Sequence, residues 1–141
     1  MSATTQAANM ATPPKRWMIW TGRVLSAIPV LVLVMSGAFA FASKQQVAEG
    51  MSKFGYPESK VFLIGVLEIG CALIYAIPRT AVLGAILMTG YLGGAVATHV
   101  RIGDPGYPTA IVAGIFVWAG LYLRDARLRA LLPLRRPQST E

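Results

Sequence analysis

Residues 61–99 read VFLIGVLEIGCALIYAIPRTAVLGAILMTGYLGGAVATH, and the only side chains among them charged at neutral pH are Glu68 and Arg79. The stretch divides at Pro78-Arg79 into apolar runs over residues 61–77 and 80–99. Each is close to the ~20 residues an α-helix needs to cross ~30 Å of hydrocarbon. Two such runs joined by a proline-basic turn predict an antiparallel pair of membrane-spanning helices.

Working outward, residues 17–42 form a longer apolar run, entered through Lys15-Arg16 and the interfacial indoles Trp17 and Trp20. Pro29 should kink this first span, and Ser26 is placed to satisfy backbone polarity that the proline frees. Ala38-Phe39-Ala40 and Ala40-Phe41-Ala42 resemble cleavage sites of a signal peptide. The apolar run exceeds the ~7–15 residues of a signal core, so a retained span is expected. On the other side, the breaker Asp104-Pro105-Gly106 precedes a fourth span over residues 107–123. The longest connection, SKQQVAEGMSKFGYPESK (43–60), places Val47, Met51 and Phe54 at i, i+4 and i+7. That spacing fits a short helix on the membrane surface, and a solvated loop fits equally well. Leu121, Leu128, Leu131 and Leu132 alternate with Arg124, Arg127 and Arg129, as in a helix leaving along the headgroups.

The resulting expectation is an all-α, four-transmembrane-helix bundle with short loops, an interfacial helix after the first span being optional. It comprises a disordered tail (1–14), one membrane domain (15–132) and a basic tail (133–141). Composition agrees: 55% of the chain is apolar and 13% charged, against about 25% charged in soluble domains. The net charge of +7 could suggest nucleic acid, but the basic residues sit in tails and at span ends rather than on one reading face. Counted by side, nine Lys and Arg fall with the termini and four with the opposite loops. This predicts a multi-pass protein of the cell inner membrane with both termini cytoplasmic. One cysteine, Cys71, and one histidine, His99, exclude a disulfide framework, a Cys/His metal cluster and bis-histidine haem ligation within one chain. No catalytic residue and no metal ligand set emerges, so an intrinsic enzymatic activity is not expected.

Polar residues inside the spans are the candidate site. Glu68 is the eighth residue of its span, about 12 Å deep at 1.5 Å per residue. A carboxyl there costs ~2.5–3.5 kcal/mol on insertion scales, so it should face the bundle interior, protonated or paired. By rise alone Glu68 is level with Thr89, with Tyr91 about 3 Å further out and Ser36 of the first span nearby. These four are expected to form a polar pocket open to the outer side, or Glu68 serves only to tie neighbouring helices together. His99 lies at the outer interface near Arg101 and Asp104, an anchor or a ligand contact. Helix packing is expected at Gly65, Gly90, Gly93 and Gly94. The third span carries small residues every four positions (Ala81, Ala85, Thr89, Gly93, Ala97), which predicts that it is the packing centre.

The run FGYPESKVFLIGVLEIGCALIYAIPRTAVLGAILMTGYLGGAVATHVRIGDP (54–105) resembles the DoxX-like membrane proteins. The likeness rests on G-x-x-E in the second helix (Gly65 to Glu68), the Pro78-Arg79 turn, and a glycine/alanine-rich helix ending in His99. It implies a small four-helix membrane protein; some relatives are linked to quinone-coupled sulfur oxidation, others to membrane redox complexes or receptor assembly. The expected function is therefore an accessory protein or subunit of a membrane complex, with a quinone or another lipophilic small molecule as candidate cofactor. Its partners would be the bilayer and other membrane subunits, and no nucleic acid. Two alternatives are a proton-coupled small-molecule transporter and an assembly chaperone that binds other spans.

Overall fold

The computed structural model describes residues 15–131; the tails expected at 1–14 and 133–141 lie outside the described residues. Six α-helices and no strand occur among them. They are α1 (Arg16–Ala42), α2 (Lys44–Ser52), α3 (Val61–Ala76), α4 (Ala81–Arg101), α5 (Tyr107–Arg124) and α6 (Ala126–Leu131), with a single 3-10 turn, Glu58–Lys60, leading into α3. Four helical segments, those of α1, α3 with its leading turn, α4 and α5, are long and apolar enough to cross a membrane. The connection after α1 resolves into the short helix α2, which buries no residue and holds Val47 and Met51 half-buried. Phe54 falls beyond its end, in a turn closed by Gly55 at φ 79°, a left-handed conformation that glycine adopts without a steric penalty.

The spans alternate in direction around a ring. α1 packs on α3 and α5, and α4 packs on the same two helices, so every neighbouring pair is antiparallel and the diagonal pairs do not touch through their backbones. Within lipid, such helices gain from dispersion contacts and interhelical hydrogen bonds rather than from expulsion of water. Three close approaches make those contacts. A Cβ on Gly22 would lie 2.8 Å from the Gly120 carbonyl oxygen, and one on Gly120 would lie 2.5 Å from Ser26 Oγ, which joins α1 to α5. A Cβ on Gly37 would lie 2.9 Å from the Gly65 carbonyl oxygen, which joins α1 to α3. A Cβ on Gly84 would lie 2.3 Å from the Tyr75 backbone, the tightest of these approaches and the one that closes the α3–α4 hairpin.

Gly65 thus sits at a helix contact, but Gly90, Gly93 and Gly94 do not: all three are exposed, and a Cβ on any of them would meet nothing within 4 Å. The geometry of the helix explains the difference. At about 100° per residue, a strict four-residue repeat turns about 40° at each step, so the stripe that begins in the interface at Ala81 and Ala85 has rotated out of it by Gly93. The buried face of α4 follows Ala81, Gly84, Ala85, Met88 and Leu92 instead. α4 is accordingly one member of a ring and not its centre.

Two smaller expectations change as well. Ser26, three residues before Pro29 in α1, bonds the Tyr75 hydroxyl at 2.9 Å rather than its own helix backbone. Leu128 of α6 turns into the core at 7% exposure instead of lying along the headgroups.

The close approaches define an asymmetric test. Gly84→Ala forces a methyl against backbone and should lower stability in detergent by about 1–3 kcal/mol, the usual cost of overpacking. Gly93→Ala should leave the melting temperature unchanged or slightly raised, because alanine favours helix and nothing opposes it. Equal losses from the two substitutions would contradict this packing.

Candidate functional site

α3 turns one face inward along its length, with Val61, Gly65, Glu68, Cys71, Ala72 and Tyr75 buried at spacings of three and four. Two of these residues are strongly polar, and each finds partners across the bundle. Near the α4–α5 loop end, Glu68 is 8% exposed. Its Oε1 accepts a hydrogen bond from the Ser36 hydroxyl of α1 at 3.1 Å and a second from the Tyr91 hydroxyl of α4 at 2.5 Å. Seven residues further on, Tyr75 donates its hydroxyl hydrogen to the Val117 carbonyl of α5 at 2.8 Å and accepts from Ser26 of α1. The Tyr75 node is fully satisfied and fully buried, and it ties three helices together.

The Glu68 node is different in kind. Both hydroxyl donors converge on Oε1, and among the described residues Oε2 takes no hydrogen bond. Oε2 is not among the polar atoms sealed away without a partner, so it keeps an open edge. The charge of an ionised Glu68 is unmatched, since among the described residues its carboxylate forms no ion pair. With Oε1 saturated by donors, a proton on the neutral acid belongs on Oε2. That atom can therefore donate when the acid is neutral and accept when it is ionised.

The bundle is also less closed at this level. α5 buries only Val117, Gly120 and Leu121, all in its second half, and nothing over residues 107–116. Ser36 is exposed and Tyr91 is half-buried. Glu68 therefore lies beneath partly open side chains.

Of the residues expected together, Ser36, Glu68 and Tyr91 are joined and Thr89 is not. Thr89 precedes Tyr91 by two residues, about 200° around the helix, so similar depth does not put the two on one face. Its hydroxyl donates to the Ala85 carbonyl at 2.7 Å and accepts from Trp118 Nε1 at 2.9 Å. There it borders an apolar groove of about 550 Å³ between α4 and α5, lined by Leu92, Gly93, Ile111 and Trp118 among others. Glu68 is not part of that groove's lining.

His99 stands apart from Glu68 in a clasp at the end of α4. Its Nδ1 lies 2.6 Å from Asp104 Oδ2, which also accepts the Gly106 backbone N–H at 2.8 Å. That backbone donor first, and the His99 contact second, hold the Asp104 carboxyl below the usual aspartate range. The His99 ring packs edge-on against Phe54 at 4.8 Å, Arg101 donates to the Phe54 carbonyl, and Tyr56 bonds Thr98 at 3.1 Å. The long connection is thereby pinned over the end of α4. The sequence gives little signal for this clasp beyond the proximity of His99, Arg101 and Asp104, because Phe54 and Tyr56 arrive from more than forty residues away.

Fold and polar core together define a small multi-pass helical membrane protein with one intramembrane carboxyl held by two hydroxyls. The family model described as the DoxX-like family matches residues 24–121, and the chain belongs to that family. Comparison with curated proteins and with solved structures gives no match.

Proposed function

We propose that this protein is a non-enzymatic accessory subunit of a membrane complex, and that Glu68 binds a lipophilic small molecule carrying a carbonyl or hydroxyl group. The observation that carries this reading is the one-sided saturation of the carboxyl: Ser36 and Tyr91 both bond Oε1, while Oε2 is left open. A carboxyl kept only to tie helices together gains most by engaging both oxygens, since an unmatched polar atom in lipid is costly. Here the free oxygen offers a donor to a ligand carbonyl or an acceptor to a ligand hydroxyl. Quinones fit that requirement, and they are the ligand class that the family resemblance implies. A ligand of this kind would reach Glu68 from the membrane, past Ser36 and the unburied half of α5.

The exposed small face of α4, with Gly90, Gly93 and Gly94 open, favours a subunit over a protein acting alone. Small residues at a lipid-facing position let a second helix approach closely. Proton-coupled transport and assembly of other spans stay as competing readings, the first through Glu68 and the second through the same α4 face.

Binding of a short-chain benzoquinone analogue to the purified protein tests the reading. Glu68→Gln retains the shape of the neutral acid, so its melting temperature should stay near that of the wild type while affinity falls at least tenfold. That fall corresponds to about 1.4 kcal/mol. Unchanged affinity in Glu68→Gln would refute the site, and proton flux abolished by the same substitution in reconstituted vesicles would favour transport.

We also propose that the protein lies in the inner membrane with both termini cytoplasmic, from the nine-to-four distribution of basic residues. Reporter fusions at the C-terminus and within residues 44–60 should report opposite compartments. A C-terminus on the outer side would overturn the orientation.

A further inference from the structure

The two hydroxyls that meet Glu68 are held in place by the packing around them. Ser36 precedes Gly37, and a Cβ on Gly37 would lie 2.9 Å from the Gly65 carbonyl oxygen and 2.7 Å from Ile69 Cγ1. This close approach of α1 to α3, within one turn of Glu68, sets Ser36 beside the carboxyl. Tyr91 lies three residues beyond the buried Met88 of α4, and its half-buried ring packs against the core. Both side chains spend their hydroxyl hydrogens on Oε1, Ser36 at 3.1 Å and Tyr91 at 2.5 Å.

A carboxyl oxygen has two lone-pair sites, so two donors fill Oε1. An uncharged lipophile brings no cation, and among the described residues none pairs with Glu68. An unpaired carboxylate out of water costs far more than the acid, so such a ligand meets Glu68 with its proton in place. That proton sits on Oε2, the open atom. Towards a ligand the acid therefore presents a donor, while its carbonyl-type oxygen is already occupied. A ligand carbonyl takes the Oε2 hydrogen and brings none of its own. A ligand hydroxyl can accept the same bond, but its hydrogen then finds neither carboxyl oxygen free, and an unmatched donor in lipid is costly.

We infer that Ser36 and Tyr91 are specificity-determining residues: by filling Oε1 they make the Glu68 site take lipophilic carbonyl compounds and discriminate against the corresponding hydroxyl compounds. The inference rests on the reading of Glu68 as a ligand site and adds which chemical form of the ligand that site accepts. A site built to hydrogen-bond one group rejects the analogue that leaves a polar atom unpaired. Here the rejection is set by the protein's own donors and not by the carboxyl alone. With one donor fewer, Oε1 would accept a ligand hydroxyl and the discrimination would disappear.

The experiment compares binding of a short-chain benzoquinone and of its hydroquinone, kept reduced under anaerobic conditions, to the full chain in a non-ionic detergent. The two probes share ring and substituents and differ at the oxygens, carbonyl in one and hydroxyl in the other. The wild type should bind the quinone at least fivefold more tightly. Tyr91→Phe and Ser36→Ala each remove one donor from Oε1, so the ratio should fall towards one, chiefly because the hydroquinone binds better. A variant that only loosened the bundle would instead weaken both probes together and keep their ratio. If Tyr91→Phe fails to fold, Ser36→Ala, at an exposed position, still gives the comparison. Equal affinities in the wild type, or tighter hydroquinone binding, overturn the inference while leaving Glu68 a ligand site. An unchanged ratio in the folded variants overturns it in the same way. Binding of neither probe overturns this inference together with the reading of Glu68 on which it rests.

Discussion

The inward face of α3 organises this bundle, because it carries two polar side chains into a medium that offers them no water. Glu68 and Tyr75 stand seven residues apart, two helical turns, and so point the same way. Each must find partners on other helices, and the partners they find set where those helices lie. Tyr75 takes Ser26 from α1 and the Val117 carbonyl from α5, and Glu68 takes Ser36 from α1 and Tyr91 from α4. The glycine contacts then become intelligible. Gly84 lets α4 close on the Tyr75 backbone, and Gly22 with Gly120 lets α1 and α5 approach beside Ser26.

The two nodes differ in what they leave over. Tyr75 uses its hydroxyl both as donor and as acceptor and is fully enclosed, which suits a structural tie. Glu68 concentrates both of its contacts on one oxygen and leaves the other open, in the half of the bundle where α5 buries nothing. The bundle is thus tight around Tyr75 and looser around Glu68. That gradient, more than the mere presence of an acid in the membrane, separates a ligand-binding reading from a packing one.

Much of this was legible in the residues. Apolar run lengths and the Pro78-Arg79 and Asp104-Pro105-Gly106 breaks located the four spans to within a few residues, because hydrocarbon thickness and backbone satisfaction leave few alternatives. Depth along the helix placed Ser36, Glu68 and Tyr91 near one level. Depth carries no azimuth, however, and so Thr89 was grouped with Glu68 although it faces Trp118. The same omission put Gly93 and Gly94 in the core, since a four-residue repeat looks constant on paper while turning on a real helix. Gly84 and the Phe54–His99 contact depend on which helices become neighbours, and local spacing does not encode that.

The central claim is that Glu68 is a reachable carboxyl within the membrane and not a sealed tie. Hydrophobic carbodiimide labelling of native membranes, mapped by peptide mass spectrometry, tests this most directly, because the reagent partitions into lipid and modifies accessible protonated acids. The account predicts labelling at Glu68 near neutral pH, reduced when a short-chain benzoquinone analogue is present. An unlabelled Glu68, in membranes where the acid of a control protein is modified, would contradict it.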